Sequence, residues 1–136
     1  MSGFVIDTSV IISILLREQD ADGFRIYLDR MPSPMISAAT VYEAYCVTIR
    51  EKFPQKAKQV DHLLELVEPE ILVFDTIQLE AAKTAYTTFG RGTGHRANLN
   101  MGDCFSYALA KTRNLPLLFK GDDFIHTDIE PALKPA

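Results

Sequence analysis

The chain has 136 residues, of which 47% are hydrophobic and 24% charged, and its formal net charge is -4. This length suits one domain with a real core, and the balance excludes an intrinsically disordered chain. No apolar run reaches the ~20 residues that cross a bilayer, and the N-terminus lacks a secretory signal, so we expect a cytoplasmic protein without membrane contact.

Short apolar segments typical of strands alternate with helical patterns along the chain. The predicted elements of the first half are a strand at 3–6, a helix at 8–17, a helix capped by Asp20 and reaching about 29, a loop marked by Pro32 and Pro34, a strand at 35–36, a helix at 38–52 capped by Ser37 and a helix from 54 ended by Pro69. Those of the second half are a strand at 71–74, a helix at 76–89 capped by Asp75, a loop at 90–99, a helix at 101–113 capped by Asn100, a strand at 117–119 and a short strand or turn near 127–129. This alternation predicts a single α/β domain, residues 1–136, whose mainly parallel sheet is covered on both faces.

The two cysteines, Cys46 and Cys104, are far apart and each lies in an apolar helical pattern. Neither belongs to a C-x-x-C pair or to a cluster with zinc-site spacing. We therefore expect two reduced thiols in the core, which fits a cytoplasmic protein.

Carboxylates stand at four separated places where a strand ends or a helix begins, each among apolar residues. Asp7 follows the first strand, and the doublet Asp122–Asp123 follows the strand at 117–119. Asp103 falls in the first turn of its helix, and Glu43 lies in a helix that is apolar on most sides and should be largely buried. Ligands of parallel sheets collect at the carboxyl ends of the strands, so these acids are candidates for one site.

Clustered carboxylates raise one another's pKa unless a cation lies among them. An all-oxygen ligand set suits Mg²⁺ or Mn²⁺ better than Zn²⁺ or copper. Such an ion can orient a phosphodiester, activate a water molecule and stabilise the leaving oxygen. The pattern therefore predicts metal-assisted chemistry on an anionic substrate.

Each acid also has a purely structural interpretation. Asp7 could cap the helix after it, Asp103 could favour its helix dipole, and Asp122–Asp123 could form a turn. Glu43 could pair with a structural arginine. The joint occurrence of all four favours a site.

The glycine-rich loop and the start of its next helix carry candidate substrate-binding residues. Arg91, His95, Arg96 and Asn100 could grip a backbone phosphate or a flipped base, and a solvated mobile loop is the alternative.

Two smaller sets of polar residues stand near the acids in the predicted fold. Thr8 and Ser9 could bond the first acid or a water, or could cap the first helix. Lys111, Arg113 and Lys120 could add positive potential at the same edge, or could simply solvate the surface.

Three segments resemble the PIN-domain ribonucleases, and among them the VapC-type toxins of toxin–antitoxin pairs: FVIDTSV at 4–10, SAATVYEA at 37–44 and LNMGDCFSYALAKTRNLPLLFKGDDFIHTDI at 99–129. The resemblance covers nearly the whole chain. It implies an α/β/α sandwich with a central parallel sheet, a cluster of acids that binds Mg²⁺ or Mn²⁺, and endonucleolytic cleavage of RNA. It also implies a homodimer restrained by a separate antitoxin protein, which can place an arginine among the acids.

Carried over by motif, Asp7 and Asp103 are the principal metal ligands. Glu43 completes the cluster as a ligand or as a group that orients water. The fourth acid is Asp122 or Asp123, and the resemblance does not decide between them.

Two alternatives remain from the sequence. A phosphohydrolase of the haloacid-dehalogenase type also begins with an acid after its first strand, but it needs a second Asp where this chain has Ser9. The other alternative is a non-catalytic PIN-like module that binds RNA.

Overall fold

A computed structural model describes residues 3–50 and 54–133. Its elements are β1 (Phe4–Ile6), α1 (Thr8–Leu15), α2 (Ala21–Arg30), β2 (Pro34–Ser37), α3 (Ala38–Arg50), α4 (Pro54–Val67), β3 (Glu70–Leu72), α5 (Thr76–Phe89), α6 (Met101–Arg113), β4 (Leu117–Leu118) and a 3₁₀ turn, Phe124–His126. The four strands form one sheet in the order β3-β2-β1-β4, and every neighbouring pair is parallel. This confirms the predicted α/β/α architecture.

The two faces of the sheet follow from the alternation of side chains along each strand. Phe4 and Ile6 point into the core beneath α1, α2, α3 and α4, whereas Val5 points into the core beneath α5 and α6. Leu117 and Leu118 divide between the same two cores. A strand buried on both faces is a continuous apolar run, which is what the sequence shows at 4–6 and 117–118.

The strand order reverses at β1. The chain first adds β2 and β3 on one side of β1, and then crosses to place β4 on the other side. In open α/β sheets the crevice at such a reversal, beyond the carboxyl ends of the strands, is where ligands bind. Asp7 is the first residue after β1 and therefore stands at this point.

Side-chain caps fix where most of the helices begin. Asp75 accepts a hydrogen bond from Gln78 N–H at 2.8 Å, and Ser37 accepts one from Ala39 N–H at 3.1 Å. Asp20 stands at the start of α2 but caps nothing with its side chain, which accepts a hydrogen bond from Ser13 instead. Asp20 therefore occupies the predicted N-cap position of α2 without a side-chain capping hydrogen bond.

Several predicted boundaries shift by one or two residues. Pro34, predicted in a loop, begins β2, where a proline is tolerated at the first residue of a strand. The segment at 127–129 is a turn after the 3₁₀ helix, which is one of the two predicted alternatives, and an isolated bridge pairs Pro131 with Leu117. The predicted end of the third helix near Lys52 lies outside the described residues.

The prediction of two core cysteines holds for one of them. Cys104 is buried, and burial raises the pKa of its thiol to about 11. Cys46 is exposed, because α3 turns an apolar face outward: Tyr42 is 70% exposed and Ile49 48%. The expectation that α3 is largely buried is therefore wrong.

None of the helices in the described parts of the chain is both long and apolar enough to cross a bilayer.

Candidate active site

Asp7 joins β1 to α1 and is almost wholly buried, with 3% of its surface exposed. Its Oδ2 accepts a hydrogen bond from Ser9 N–H at 3.0 Å, which caps α1 as predicted. Its Oδ1 accepts a hydrogen bond from the Ser106 hydroxyl of α6 at 2.6 Å. Burial raises the pKa of Asp7, and the donors offset that rise only in part. The carboxylate thus caps a helix and still stands in surroundings that favour a bound proton or cation.

Glu43 reaches the same place from the second turn of α3. The Thr8 hydroxyl donates to its Oε1, and the carboxylate packs so closely on the start of α6 that a methyl group at Gly102 would overlap it. Burial, followed by the negative charge of Asp7, raises the pKa of Glu43, while Arg50 acts in the opposite direction. Glu43 is therefore positioned by α1 and α6 rather than by burial of its own helix.

Asp103 approaches from the first turn of α6. It forms a capping box with Asn100: the Asn100 N–H donates to Asp103 Oδ2 at 2.9 Å, and the Asp103 N–H donates to Asn100 Oδ1 at 2.8 Å. Burial raises the pKa of Asp103 to about 7, with further contributions from the charges of Asp7, Asp123 and Glu43. The structural role predicted for Asp103 is present, and so is its electrostatic coupling to the other acids.

The two acids after β4, Asp122 and Asp123, have different surroundings. The charge of Asp123 acts on Asp103, whereas Asp122 borders a separate cavity lined also by Phe24 and Ile125. Both are exposed, and Gly121 before them has a φ of +97°, a backbone conformation that favours glycine. The structure therefore favours Asp123 over Asp122 as the acid near the cluster.

Asp7, Glu43 and Asp103 are the three inner acids of the site. They open onto a groove of about 430 Å³. Its lining also includes Thr8, Ser9 and Asn100, which the sequence had singled out, and the cations Arg50 and Lys120. A larger cavity of about 630 Å³ lies between α1, α2 and α4, but its lining is mostly aliphatic. We assign the chemistry to the smaller groove because three carboxylates with raised pKa values converge there.

The donor set of the groove is all oxygen. Within residues 3–50 and 54–133, no three Asp, Glu, His or Cys side chains form a ready-made coordination shell. Mg²⁺ is usually bound through one or two carboxylates and completes its shell with water. The oxygen donors are therefore of the kind that a hard cation binds, and they line an open groove and not a closed cage of protein ligands.

The basic residues predicted near the site are only partly there. Lys120 follows β4 at the acid edge, where its ammonium lies 2.9 Å from Glu18 and 3.4 Å from Asp20. Lys111 instead pairs with Asp128, beside the start of β4 at the opposite edge of the sheet. Arg113 is the last residue of α6, so Lys111 and Arg113 lie at the end of the helix away from Asp103, which agrees with the alternative that they belong to the surface and not to the acid site.

The loop residues Arg91, His95 and Arg96 are not among the described residues that line the groove. His95 packs edge-on against Phe89, and its Nδ1 accepts a hydrogen bond from Ala97 N–H at 3.0 Å. The two arginines are exposed. The contacts of His95 thus hold the loop in place, and Arg91 and Arg96 are exposed to solvent on the segment that precedes Asn100.

Three residues of the site were not predicted: Thr40, Gly102 and Ser106. Ser106 and Thr40 are fully buried hydroxyls within hydrogen-bond distance of one another, and Gly102 admits the Glu43 carboxylate. Spacing carried a signal for the hydroxyls, since each stands three residues from an acid on the same helix face. Nothing in the sequence alone distinguishes Gly102 from an ordinary glycine in the first helical turn.

The sequence is similar to that of known proteins over nearly its full length. Residues 4–130 match the family described as PIN domain. Ribonuclease VapC42 of Mycobacterium tuberculosis is 41% identical over 128 residues, which are 94% of this chain and 98% of that protein.

Solved structures share the fold at low sequence identity. The crystal structure of Mycobacterium tuberculosis VapC20, described as a sarcin-ricin loop cleaving toxin, has a TM-score of 0.73 at 12% identity and covers 93% of this chain and 96% of its own. A chain of a toxin–antitoxin complex from Klebsiella pneumoniae has a TM-score of 0.62 at 18% identity, with 90% of each chain covered.

Proposed function

The chain belongs to the PIN-domain family and, within it, to the VapC ribonucleases, and on this basis we propose that it is a metal-dependent endoribonuclease, the toxin of a toxin–antitoxin pair. The observation that carries the proposal is the convergence of Asp7, Glu43 and Asp103 on one groove. Burial raises the pKa of all three, and the charge of Asp7 raises the pKa of Glu43 and Asp103 further, so a divalent cation would relieve an electrostatic cost that the fold maintains.

The roles of the acids follow from their positions. Asp7 and Asp103 would hold Mg²⁺ or Mn²⁺, which when bound supplies activation of water and stabilisation of the leaving oxygen. Glu43 is held by the Thr8 hydroxyl through Oε1, and we assign its Oε2 to the ion or to the attacking water. Asp123, the exposed member of the group, would act on the cluster by its charge or as the fourth ligand.

The cations around the groove suit a polyanionic substrate. Arg50 and Lys120 line the groove, and the ion pairs with Glu18 and Asp20 hold the Lys120 ammonium at its rim. We assign these two residues to the RNA backbone close to the cut. Arg91 and Arg96, exposed on the loop before α6, would bind phosphates further along the strand.

We further propose a separate antitoxin protein as partner, a homodimer as the assembled form and the cytoplasm as the place of action. The fold match to a chain of a toxin–antitoxin complex supports the first of these. The two free thiols, Cys46 and Cys104, are compatible with a reducing compartment.

Removal of the metal tests the proposal. The purified chain, free of partner, should cut structured RNA in Mn²⁺ or Mg²⁺, lose that activity in EDTA, and regain it when excess Mn²⁺ is added. Gel analysis of end-labelled RNA measures each step. Cleavage at the same rate in EDTA would contradict metal dependence, and RNA binding without cleavage in either metal would support the non-catalytic alternative.

Two observations argue against the haloacid-dehalogenase alternative: the chain belongs to the PIN-domain family, and it lacks the second Asp that haloacid-dehalogenase chemistry requires. The second Asp of that motif is Ser9 here, whose hydroxyl accepts a hydrogen bond from the Lys120 N–H at 2.9 Å. A hydroxyl used in this way ties α1 to the loop after β4 and supplies no carboxylate.

Gly102→Ala should separate activity from stability. The new methyl group would displace the Glu43 carboxylate, so we expect RNA cleavage to fall about 10- to 100-fold. The free energy of unfolding should change by less than about 1 kcal/mol, because the gain in helix propensity offsets the loss of one hydrogen bond.

The matched control for that variant is Gly23→Ala in α2, where a methyl group meets nothing within 4 Å. Urea denaturation should show this control to be as stable as the parent or more stable, with activity unchanged. Equal activity in the Gly102 variant and its control would contradict the role given to Glu43.

A further inference from the structure

A pair of hydroxyl groups lies in the core directly beneath the acid cluster. Thr40 and Ser106 are both 0% exposed, and their hydroxyl oxygens are 3.3 Å apart across the interface of α3 and α6. The residues are 66 positions apart in the chain, so only the tertiary fold brings them together. Two fully buried hydroxyls in an otherwise apolar contact are costly unless each is satisfied.

The direction of the hydrogen bonds is determined by the acceptor at one end. Ser106 donates its only hydroxyl proton to Asp7 Oδ1 at 2.6 Å. When Asp7 is ionised, the Thr40 hydroxyl is therefore the donor in its contact with Ser106. The result is a directed chain of two hydrogen bonds, from Thr40 to Ser106 to Asp7, that ends on an acid of the groove.

Thr40 and Ser106 lie on the two helices that carry Glu43 and Asp103. Thr40 precedes Glu43 by three residues on α3, and Ser106 follows Asp103 by three residues on α6. Residues at this spacing share a helix face, about 4.5 Å apart along the axis. Each hydroxyl is therefore about one helical turn from an acid. Asp7, the third inner acid, accepts the hydrogen bond from Ser106.

Asp7 is held from two sides as a consequence. Ser9 N–H binds Oδ2 from α1, and Ser106 binds Oδ1 from α6. Ser9 fixes the carboxylate only relative to its own helix, whereas Ser106 fixes it relative to the helix that carries Asp103.

We propose that Thr40 and Ser106 are positioning residues of the nuclease, which set where the Asp7 carboxylate lies relative to Glu43 and Asp103. The inference rests on the proposed function, because the placement of Asp7 matters here for binding the divalent ion. Neither hydroxyl touches the substrate, and both act through Asp7. Partners that orient a metal ligand in this way typically change metal affinity 10- to 100-fold when removed.

The test measures Mn²⁺ binding by titration calorimetry, with no RNA present, together with kcat and KM for RNA cleavage. Ser106→Ala and Thr40→Val should weaken Mn²⁺ binding about tenfold or more, with the fall in activity partly recovered at high Mn²⁺. Thr40→Ser keeps the donor and should restore most of the affinity. Far-UV circular dichroism and urea denaturation check that each variant is folded.

Thr48→Val is the matched control. Thr48 is also on α3 and buried, but its hydroxyl donates to the Tyr45 carbonyl of its own helix at 2.7 Å. This variant should lose some stability and keep the Mn²⁺ affinity of the parent chain.

Two distinct results would overturn the proposal. Unchanged Mn²⁺ affinity, kcat and KM in both Ser106→Ala and Thr40→Val, while the parent chain binds Mn²⁺, would show that the hydroxyls serve folding alone. Absence of Mn²⁺ binding by the parent chain would overturn the proposed function first, and this inference with it.

Discussion

Asp7→Asn should lower kcat/KM for RNA about 10³-fold, which corresponds to about 4 kcal/mol of transition-state stabilisation. Asparagine keeps the shape of the side chain and one oxygen acceptor for Ser9 or Ser106, so the cap of α1 can survive. What it removes is the negative charge that would bind the ion. The initial rate of RNA cleavage at saturating Mn²⁺ measures the effect.

The chain offers a matched control for this substitution in Asp75→Asn. Asp75 also caps a helix after a strand, through Gln78 N–H at 2.8 Å, but it is exposed and does not line the groove. Its variant should cleave RNA as fast as the parent chain. A similar loss in both variants would mean that helix capping, and not metal binding, explains the need for Asp7.

Asp103→Asn should abolish cleavage and, at the same time, stabilise the metal-free protein at pH 7.5. The pKa of Asp103 is about 7 in the folded chain and 3.8 as the reference for an unfolded one. Between these values the folded state keeps a proton that the unfolded state has lost, so the stability of the metal-free protein falls as pH rises from about 4 to 7. Asparagine removes that cost, and we expect a gain on the order of 1–2 kcal/mol at pH 7.5, reduced by the partial exposure of the group.

Urea denaturation in EDTA at two pH values tests the sign of this effect. At pH 5 Asp103 is already largely protonated in the folded chain, so the variant and the parent chain should differ little. Adding Mn²⁺ at pH 7.5 should stabilise the parent chain but not the variant. A variant that is equally destabilised at both pH values would show that the carboxylate is not under electrostatic strain.

The sequence was sufficient for the architecture because its signals are local. Apolar runs at 4–6 and 117–118 are buried on both faces of the sheet, and the caps at Asp75 and Asn100 fix helix starts to the residue. The convergence of the three inner acids was also predictable, since parallel strands carry their carboxyl ends to one edge.

The remaining features depend on tertiary contacts that no local pattern encodes. The exposure of Cys46 and Tyr42 follows from which face of an all-round apolar helix the neighbouring elements cover. The misplacement of Lys111 follows from helix length, because eight residues carry it about 12 Å from Asp103 along α6. The two successive hydrogen bonds join Thr40 to Ser106, 66 positions away, and Ser106 to Asp7, 99 positions away. Only the folded structure reveals such pairings.

The most direct test of the account is a crystal of the parent chain grown with Mn²⁺, with data collected for anomalous scattering. We predict a peak in the groove within about 2.5 Å of carboxylate oxygens of both Asp7 and Asp103, which is the reach of a hard cation's inner shell. A Mn²⁺ ion bound elsewhere, or an empty groove at a concentration that supports RNA cleavage, would contradict the claim that these acids form the metal site.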